Sequence, residues 1–368
     1  MPNQVEGIKR QDVFGAIDRL MDHMIHIKDE NGKFLLKLDN KGAVDTKSWD
    51  GWDWTQGIGL FGIYKYYNMT GNQKAFAIIK KWFSNRFREG TVSKNVNTVC
   101  AFLTLAYLYE DTKDRTYLPY LDRWFEWVEH EMPRTEENGI QHITYDLQNE
   151  QQLWDDTLMM TVLPLAKTGF LLNRPNYVED AVKQFLLHIK YLSDKKTGLW
   201  FHGWSFIGRH NFGEVLWARG NCWVTIAIPE FIEMTGMKPG NPVREFLLDA
   251  LRRQVEALAN IQDGSGLWHT VLNDPESYLE SSSSAGFAYG ILKAVRKRYI
   301  DEKYAQNGIQ TIKGILNNIS ADGELKQVSS GTPVFWTAEE YKKVPLTAMP
   351  YGQALAILCL SEFLNYYI

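Results

Sequence analysis

Cysteine is nearly missing from this chain: Cys100, Cys222 and Cys359 are the whole complement in 368 residues. Their odd number, wide spacing and apolar surroundings exclude a disulfide framework and a Cys-x-x-Cys metal site, and predict buried thiols. Positive charge is also short. With 40 Lys and Arg against 44 Asp and Glu, the net charge is −4, so no basic excess exists to drive binding to nucleic acid. No apolar run reaches the ~20 residues of a membrane span. The richest, Ala348 to Leu360, is broken by Pro350 and Gly352 and reads as a core helix. The first dozen residues carry neither an apolar h-region nor a small-residue cleavage site, so a cytoplasmic protein is expected. Gly-x-Ser-x-Gly, Walker and His-Glu-x-x-His motifs are missing, and Gly57-Ile58-Gly59 opens an apolar helix instead of following a strand. Serine-nucleophile, zinc and nucleotide chemistry lose ground accordingly. No linker-like stretch divides the chain, which predicts a single domain over residues 1–368.

Aromatic side chains are abundant: 13 Trp, 18 Tyr and 18 Phe. Such rings fill cores, and Trp also stacks on sugars and bases. A weak repeat organises them. Short turns ending in Gly, each followed by an apolar residue, occur at Gly32, Gly139, Gly198, Gly266 and Gly323, with Glu89-Gly90-Thr91 a degenerate member. The glycines are about 49 to 68 residues apart, the span of a two-helix unit. Before each turn lies a stretch with apolar residues at three-and-four spacing, such as Phe246, Leu247, Leu251, Val255 and Leu258. After each comes a stretch apolar nearly all round, such as Ala218 to Met234 or Gln353 to Phe363. Six wet-faced helices alternating with six buried ones predict an all-α fold, an (α/α)6 barrel of six helical hairpins. An open α-solenoid is the alternative.

The buried helices should open on one end of the barrel, where the unusual clusters fall. These are Trp49 to Gly57, Asn95 to Thr98, Trp154 to Thr157, Trp217 to Trp223, Ser281 to Ser284 and Pro350 to Gln353. Trp52, Trp54, Trp154, Trp217 and Trp223 are expected at this mouth, while Trp82, Trp124 and Trp127 pack between helices. Converging helix N-termini favour an anion. With Arg219 and His202 added, the expected ligand is a carboxylated or sulfated sugar stacked on Trp. Asp156 precedes an apolar helix and is either a functional acid or its N-cap, and Asp155 competes with it. Arg219, set among Leu216, Trp217 and Trp223, calls for an anionic partner: a ligand, or a carboxylate such as Asp155 or Asp156. Asn97 is a candidate ligand contact or an N-cap. His142 and, more weakly, His269 are further candidates.

Taken together, Trp52-x-Trp54-x-x-Gly57, Asn95-Val96-Asn97-Thr98, Trp154-Asp155-Asp156-Thr157-Leu158-Met159-Met160, His202-Gly203-Trp204, Trp217-Ala218-Arg219-Gly220-Asn221, Ser329 to Pro333 and Pro350-Tyr351-Gly352-Gln353 resemble the unsaturated rhamnogalacturonyl hydrolases, glycoside hydrolase family 105. The resemblance implies an (α/α)6 barrel and an enzyme without metal or other cofactor. It would release the 4,5-unsaturated galacturonic acid from the non-reducing end of lyase-generated rhamnogalacturonan oligosaccharides, by hydrating a vinyl ether. Asp156 takes the catalytic acid/base position, and Trp54, His142, Met160, His202, Trp217, Arg219 and Trp223 match positions lining the sugar site. At Asn97 this chain has an amide where related glucuronide-cleaving enzymes place an aspartate. The expected partner is a small unsaturated oligosaccharide, with no nucleic acid or membrane, and the protein a monomer or weak homodimer. To donate a proton near neutral pH, Asp156 should be held well above ~4. Aglycone contacts are expected around 88 to 97 and 205 to 215. Alternatives are an unsaturated glucuronyl hydrolase acting on glycosaminoglycan or algal lyase products, a conventional inverting glycosidase, and a non-catalytic carbohydrate-binding α-solenoid.

Overall fold

The computed structural model describes residues 4–38, 42–90 and 92–367. Thr91 of the degenerate turn and Met1 to Asn3 of the N-terminal stretch lie outside them. Among the described residues, two sets of six helices alternate along the chain. The outer set is Arg10–Met24, Gln73–Glu89, Leu118–His130, Pro175–Leu192, Pro242–Asn260 and Ala305–Asn317. The inner set is Trp54–Thr70, Ala101–Thr112, Leu163–Leu171 with the π-type turn Leu158–Val162 before it, Ala218–Thr235, Ser281–Arg296 and Pro350–Tyr367. Each inner helix packs on the next, and Pro350–Tyr367 packs back on Trp54–Thr70. That contact closes the ring and removes the open solenoid. The fold is an (α/α)6 barrel. Strand is confined to short two-stranded antiparallel ribbons such as Gln152–Trp154 with Gly203–Ser205.

Local chemistry sets the boundaries. Asn72 and Asn241 cap outer helices by accepting from the backbone N–H groups of Ala75, and of Val243 and Arg244, the preferred N-cap arrangement. Gly71 and Gly236 stop inner helices in the left-handed conformation, which glycine adopts without a Cβ penalty. The repeat turns have a role that spacing alone did not disclose. Gly198, Gly266 and Gly323 have φ of +81°, +86° and +90°, and each lies against the backbone of the next outer helix, at Arg253, Gln310 and Arg19. The last of these joins the final repeat to the first.

Inner helices approach closely through small residues. A methyl on Gly62 would meet Ala354, one on Gly286 would meet Cys222, and one on Gly290 would meet the Thr225 carbonyl. That carbonyl is the one Pro229 leaves without its i+4 N–H. Cys100, Cys222 and Cys359 are buried and free. The barrel end opposite the mouth is closed by charge. Glu230 accepts from Tyr289 and Lys293 and from Lys65, while Lys293 and Lys297 pair with Glu233. The lysines hold the Glu230 carboxyl well below the carboxylate range against the opposing effect of burial. Among the described residues no helix is long and apolar enough to cross a membrane.

Candidate active site

At the other end, the inner-helix N-termini and the segments leading to them surround a cavity of about 310 Å³. Trp54, Asn97, His142, Trp154, Asp156, Trp217 and Arg219 line it. Trp54 is the first residue of its helix, behind a capping box of Asp53 and Gln56, and stacks on Tyr351 at 4.4 Å. Asn97 is not an N-cap. Asn95 fills that role for the short helix Val96–Val99, and the Asn97 side chain is left to the cavity. His142 lies flat on Trp154, ring centres 4.3 Å apart, with Nδ1 2.8 Å from the Thr157 hydroxyl. Met160, Trp223 and His202 are buried outside the lining: Met160 on the π-type turn, Trp223 edge-on to Trp54, and His202 beside Asp156. His269 bonds the Ser277 carbonyl away from the cavity.

Three expectations are corrected. Trp52 is not at the mouth: it stacks on Trp124 at 5.9 Å and meets Trp82 edge-on, inside the core. Spacing could not separate it from Trp54, because both precede the same helix. Arg219 does have a carboxylate partner, but it is Glu280, not Asp155 or Asp156. Its Nη1 donates to the Ser329 carbonyl and hydroxyl, its Nη2 to the Ser330 carbonyl at 2.8 Å and the Thr332 hydroxyl at 3.0 Å, and Glu280 stands 3.9 Å from Nη1. Sandwiched between Trp217 and Tyr351, 4.7 and 5.0 Å from the ring centres, Arg219 fastens the strap Ser329–Thr332 over the cavity. The cavity's outer walls are Lys33 to Leu36 and Thr46 on one side, Thr144 to Leu147 on another, and Gly331 to Pro333 on the strap. Among the described residues of the expected segments 88 to 97 and 205 to 215, only Asn97 lines the cavity. The strap and the stretch Lys33 to Leu36 are ordinary in composition, so no motif marked them.

The third correction concerns charge. Asp156 keeps 14% of its side chain open to the cavity and accepts from His202 Nε2 at 3.0 Å. Burial pushes its carboxyl up, but the His202 hydrogen bond, and the charges the two histidines take on in acid, outweigh this and hold it below the usual carboxylate range. The raised carboxyl is Asp155, lifted well above its usual range by complete burial and by the charge of Asp156. Asp155 is turned away from the cavity against Gly220, where a methyl group would overlap its carboxylate. Neither Asp155 carboxyl oxygen has a hydrogen-bond partner, and beside the Asp156 charge the two carboxyls carry one proton between them, held by Asp155. Burial lowers both histidines, His142 to about 3. Asp53, also on the cavity wall, is raised to about 7 by burial and the nearby Asp146 charge, opposed by a hydrogen bond from the Trp54 backbone; its Oδ1 has no partner. Asp155, Asp156 and His202 bring ligand atoms within 4.8 Å of one another, and so do His23, Asp322 and Glu324 on the surface. Among the described residues these are the two such clusters, and in the first His202 Nε2 is already committed to Asp156.

The profile of Glycosyl Hydrolase Family 88 matches residues 26–367. The unsaturated rhamnogalacturonyl hydrolase YesR of Bacillus subtilis is 33% identical over 317 residues, covering 85% of this chain and 90% of that protein. Crystal structures of possible GH105 family members superpose closely. The one from Salmonella enterica serovar Paratyphi A has 56% identity and a TM-score of 0.98, covering 99% of this chain and 97% of its own. The one from Klebsiella pneumoniae has 55% identity, the same TM-score, and covers 100% and 96%. The chain is a glycoside hydrolase and belongs to Glycosyl Hydrolase Family 88.

Proposed function

We propose that this enzyme releases the 4,5-unsaturated galacturonic acid from the non-reducing end of lyase-generated rhamnogalacturonan oligosaccharides. The observation that carries the reading is the placement of Asp156. It faces a Trp-lined cavity with one oxygen held by His202, while its neighbour Asp155 is turned away. A conventional inverting glycosidase needs two carboxyls flanking the anomeric carbon. A vinyl ether needs one, and of the other wall carboxyls Asp53 is tied into the cap of Trp54–Thr70 while Asp146 lies on the outer wall. Protonation of C4 by Asp156 places positive charge at C5 and on the ring oxygen. The resulting carboxylate then takes a proton from the water that adds at C5. The hemiketal opens and the aglycone leaves with its oxygen. YesR, named for this activity, supports the galacturonyl assignment.

The protein by itself holds Asp156 as the carboxylate, so the proton must come to it as substrate binds. A uronate carboxylate entering the cavity raises the proton affinity of Asp156 by like-charge repulsion and by excluding water. Trp54 supplies a face for the sugar ring, Trp154 and Trp217 supply apolar wall, and His142 and Asn97 supply polar edges. Met160, Trp223 and His202 support these groups from behind. Asp156→Asn is expected to keep the fold and the binding of unsaturated disaccharide, yet abolish the fall in ultraviolet absorbance as the double bond is consumed. Near-normal decay in that variant would overturn the assignment. A panel of galacturonyl and glucuronyl lyase products, followed the same way, tests the sugar.

A further inference from the structure

Tyr341 belongs to the short helix Ala338–Lys342, which follows the strap and lies outside every motif the sequence offered. Its side chain is buried against Trp217, Phe335 and His202, with ring centres 5.8, 5.1 and 5.9 Å away. Its hydroxyl makes two contacts. The backbone N–H of Phe335 donates to it at 3.1 Å, and His202 Nδ1 lies 2.8 Å from it. A phenol has one proton to give. The ionised Asp156 can only accept, so Nε2 keeps the proton of a neutral ring; Nδ1 is then bare and takes the phenolic proton, while the Phe335 N–H fills a lone pair of the phenol oxygen. The ring's own proton therefore sits on Nε2, aimed at Asp156 Oδ2 at 3.0 Å.

We propose that Tyr341 is a positioning residue that fixes His202 as the neutral Nε2–H tautomer, so that the imidazole acts on Asp156 only as a hydrogen-bond donor. One oxygen of Asp156 is thereby committed to His202, and the other is left for the reacting carbon and water. Charging His202 would put a proton on Nδ1 and force the Tyr341 hydroxyl to abandon its donation. The groups that bear on this ring are Asp155 and Asp156 on one side, Arg219 beyond Trp217, and His142 across Trp154. The two carboxyls between them carry one negative charge and Arg219 one positive; Nε2–H is fixed by Asp156, and the donation from Tyr341 is what keeps Nδ1 bare.

The inference rests on Asp156 being the acid, but its main test does not need turnover. Long-range proton–nitrogen spectra of protein labelled with nitrogen-15 histidine, with His202 assigned by its loss in His202→Gln, report the tautomer directly. In the native enzyme His202 should show a protonated Nε2 and a bare Nδ1 from pH 5 to 8. In Tyr341→Phe, which keeps the ring and its packing, Nδ1 should take up a proton within that range. With the unsaturated disaccharide, kcat should fall about tenfold, the scale of one lost hydrogen bond to an acid–base group. KM should stay within about twofold, because Tyr341 is outside the cavity lining. The variant should also lose activity on the acid side, where charged His202 pins Asp156 as its carboxylate. A native His202 that carries its proton on Nδ1, or is charged at pH 7, overturns the proposal, as does a Tyr341→Phe enzyme with unaltered spectrum and kcat. If no unsaturated disaccharide is consumed, the function fails while the spectrum still decides the tautomer.

Discussion

Asp53 shows how one side chain can serve a helix and burden the fold. Its carboxyl takes part in the capping box of Trp54–Thr70, yet it is 2% exposed with Oδ1 unpartnered. In the unfolded chain it titrates near 3.8, and in the folded protein near 7. The native state therefore holds the proton more tightly, and stability falls as pH rises from about 4 to about 7, by a few kcal/mol in order of magnitude. Asp53→Asn keeps a favourable N-cap and removes the buried charge. The variant should unfold at a higher temperature than the native protein at pH 8, and the gain should vanish near pH 4. An equal gain at both pH values would show that the carboxyl is not the cause. Thermal unfolding across this range is the measurement.

Among the elements, the glycine turns link the repeats. Gly323 combines a φ of +90° with a Cβ position inside the Arg19 backbone. Gly323→Ala should cost about 2 kcal/mol or more, from the left-handed backbone and the displaced contact together. Its urea midpoint should fall accordingly, whereas alanine at Gly264, which has open space and ordinary φ, should leave the midpoint unchanged. These elements were largely legible in the sequence, because an outer helix buries one stripe and an inner helix buries all its faces, and both patterns are local. The inner helix Trp54–Thr70 and the outer helix Leu118–His130 stood out on that ground. The site divides by the same reasoning. Asp156, His202, Trp54 and Trp217 sit in dense clusters beside helix starts, where local sequence is unusual. Tyr341 acts through His202, 139 residues away, and Arg219 through Ser329, 110 residues away. Only the closed ring brings such pairs together. The ionisation of Asp156 was misread for a related reason: the expectation weighed apolar neighbours and the substrate, and the hydrogen bond from His202 is not visible in spacing.

For the whole molecule, the two ends of the barrel are built from opposite materials. Aromatic rings with one clamped cation form the mouth, and a saturated network around Glu230, Lys293 and Lys65 forms the floor. Lys293→Met should leave Glu230 and Glu233 short of a partner and cost about 3–5 kcal/mol, the scale for breaking a buried pair. Chemical denaturation would register it. At 25 °C the folded variant should keep its kcat, since the floor and the mouth share no residue. A large fall in kcat with an unchanged denaturation midpoint would tie the network to the chemistry instead.

That closed floor has a consequence for how the enzyme meets a polymer. A tunnel open at both ends can thread a strand and move along it, but a blind pocket admits only what terminates. For this barrel the effective substrate concentration is the number of chain tips, whatever the mass of polysaccharide behind them. Each cut made upstream by a lyase that leaves an unsaturated tip creates a new place to work. Its own rate should therefore track the number of cuts already made, and a solution of uncut polymer should keep its viscosity in its presence.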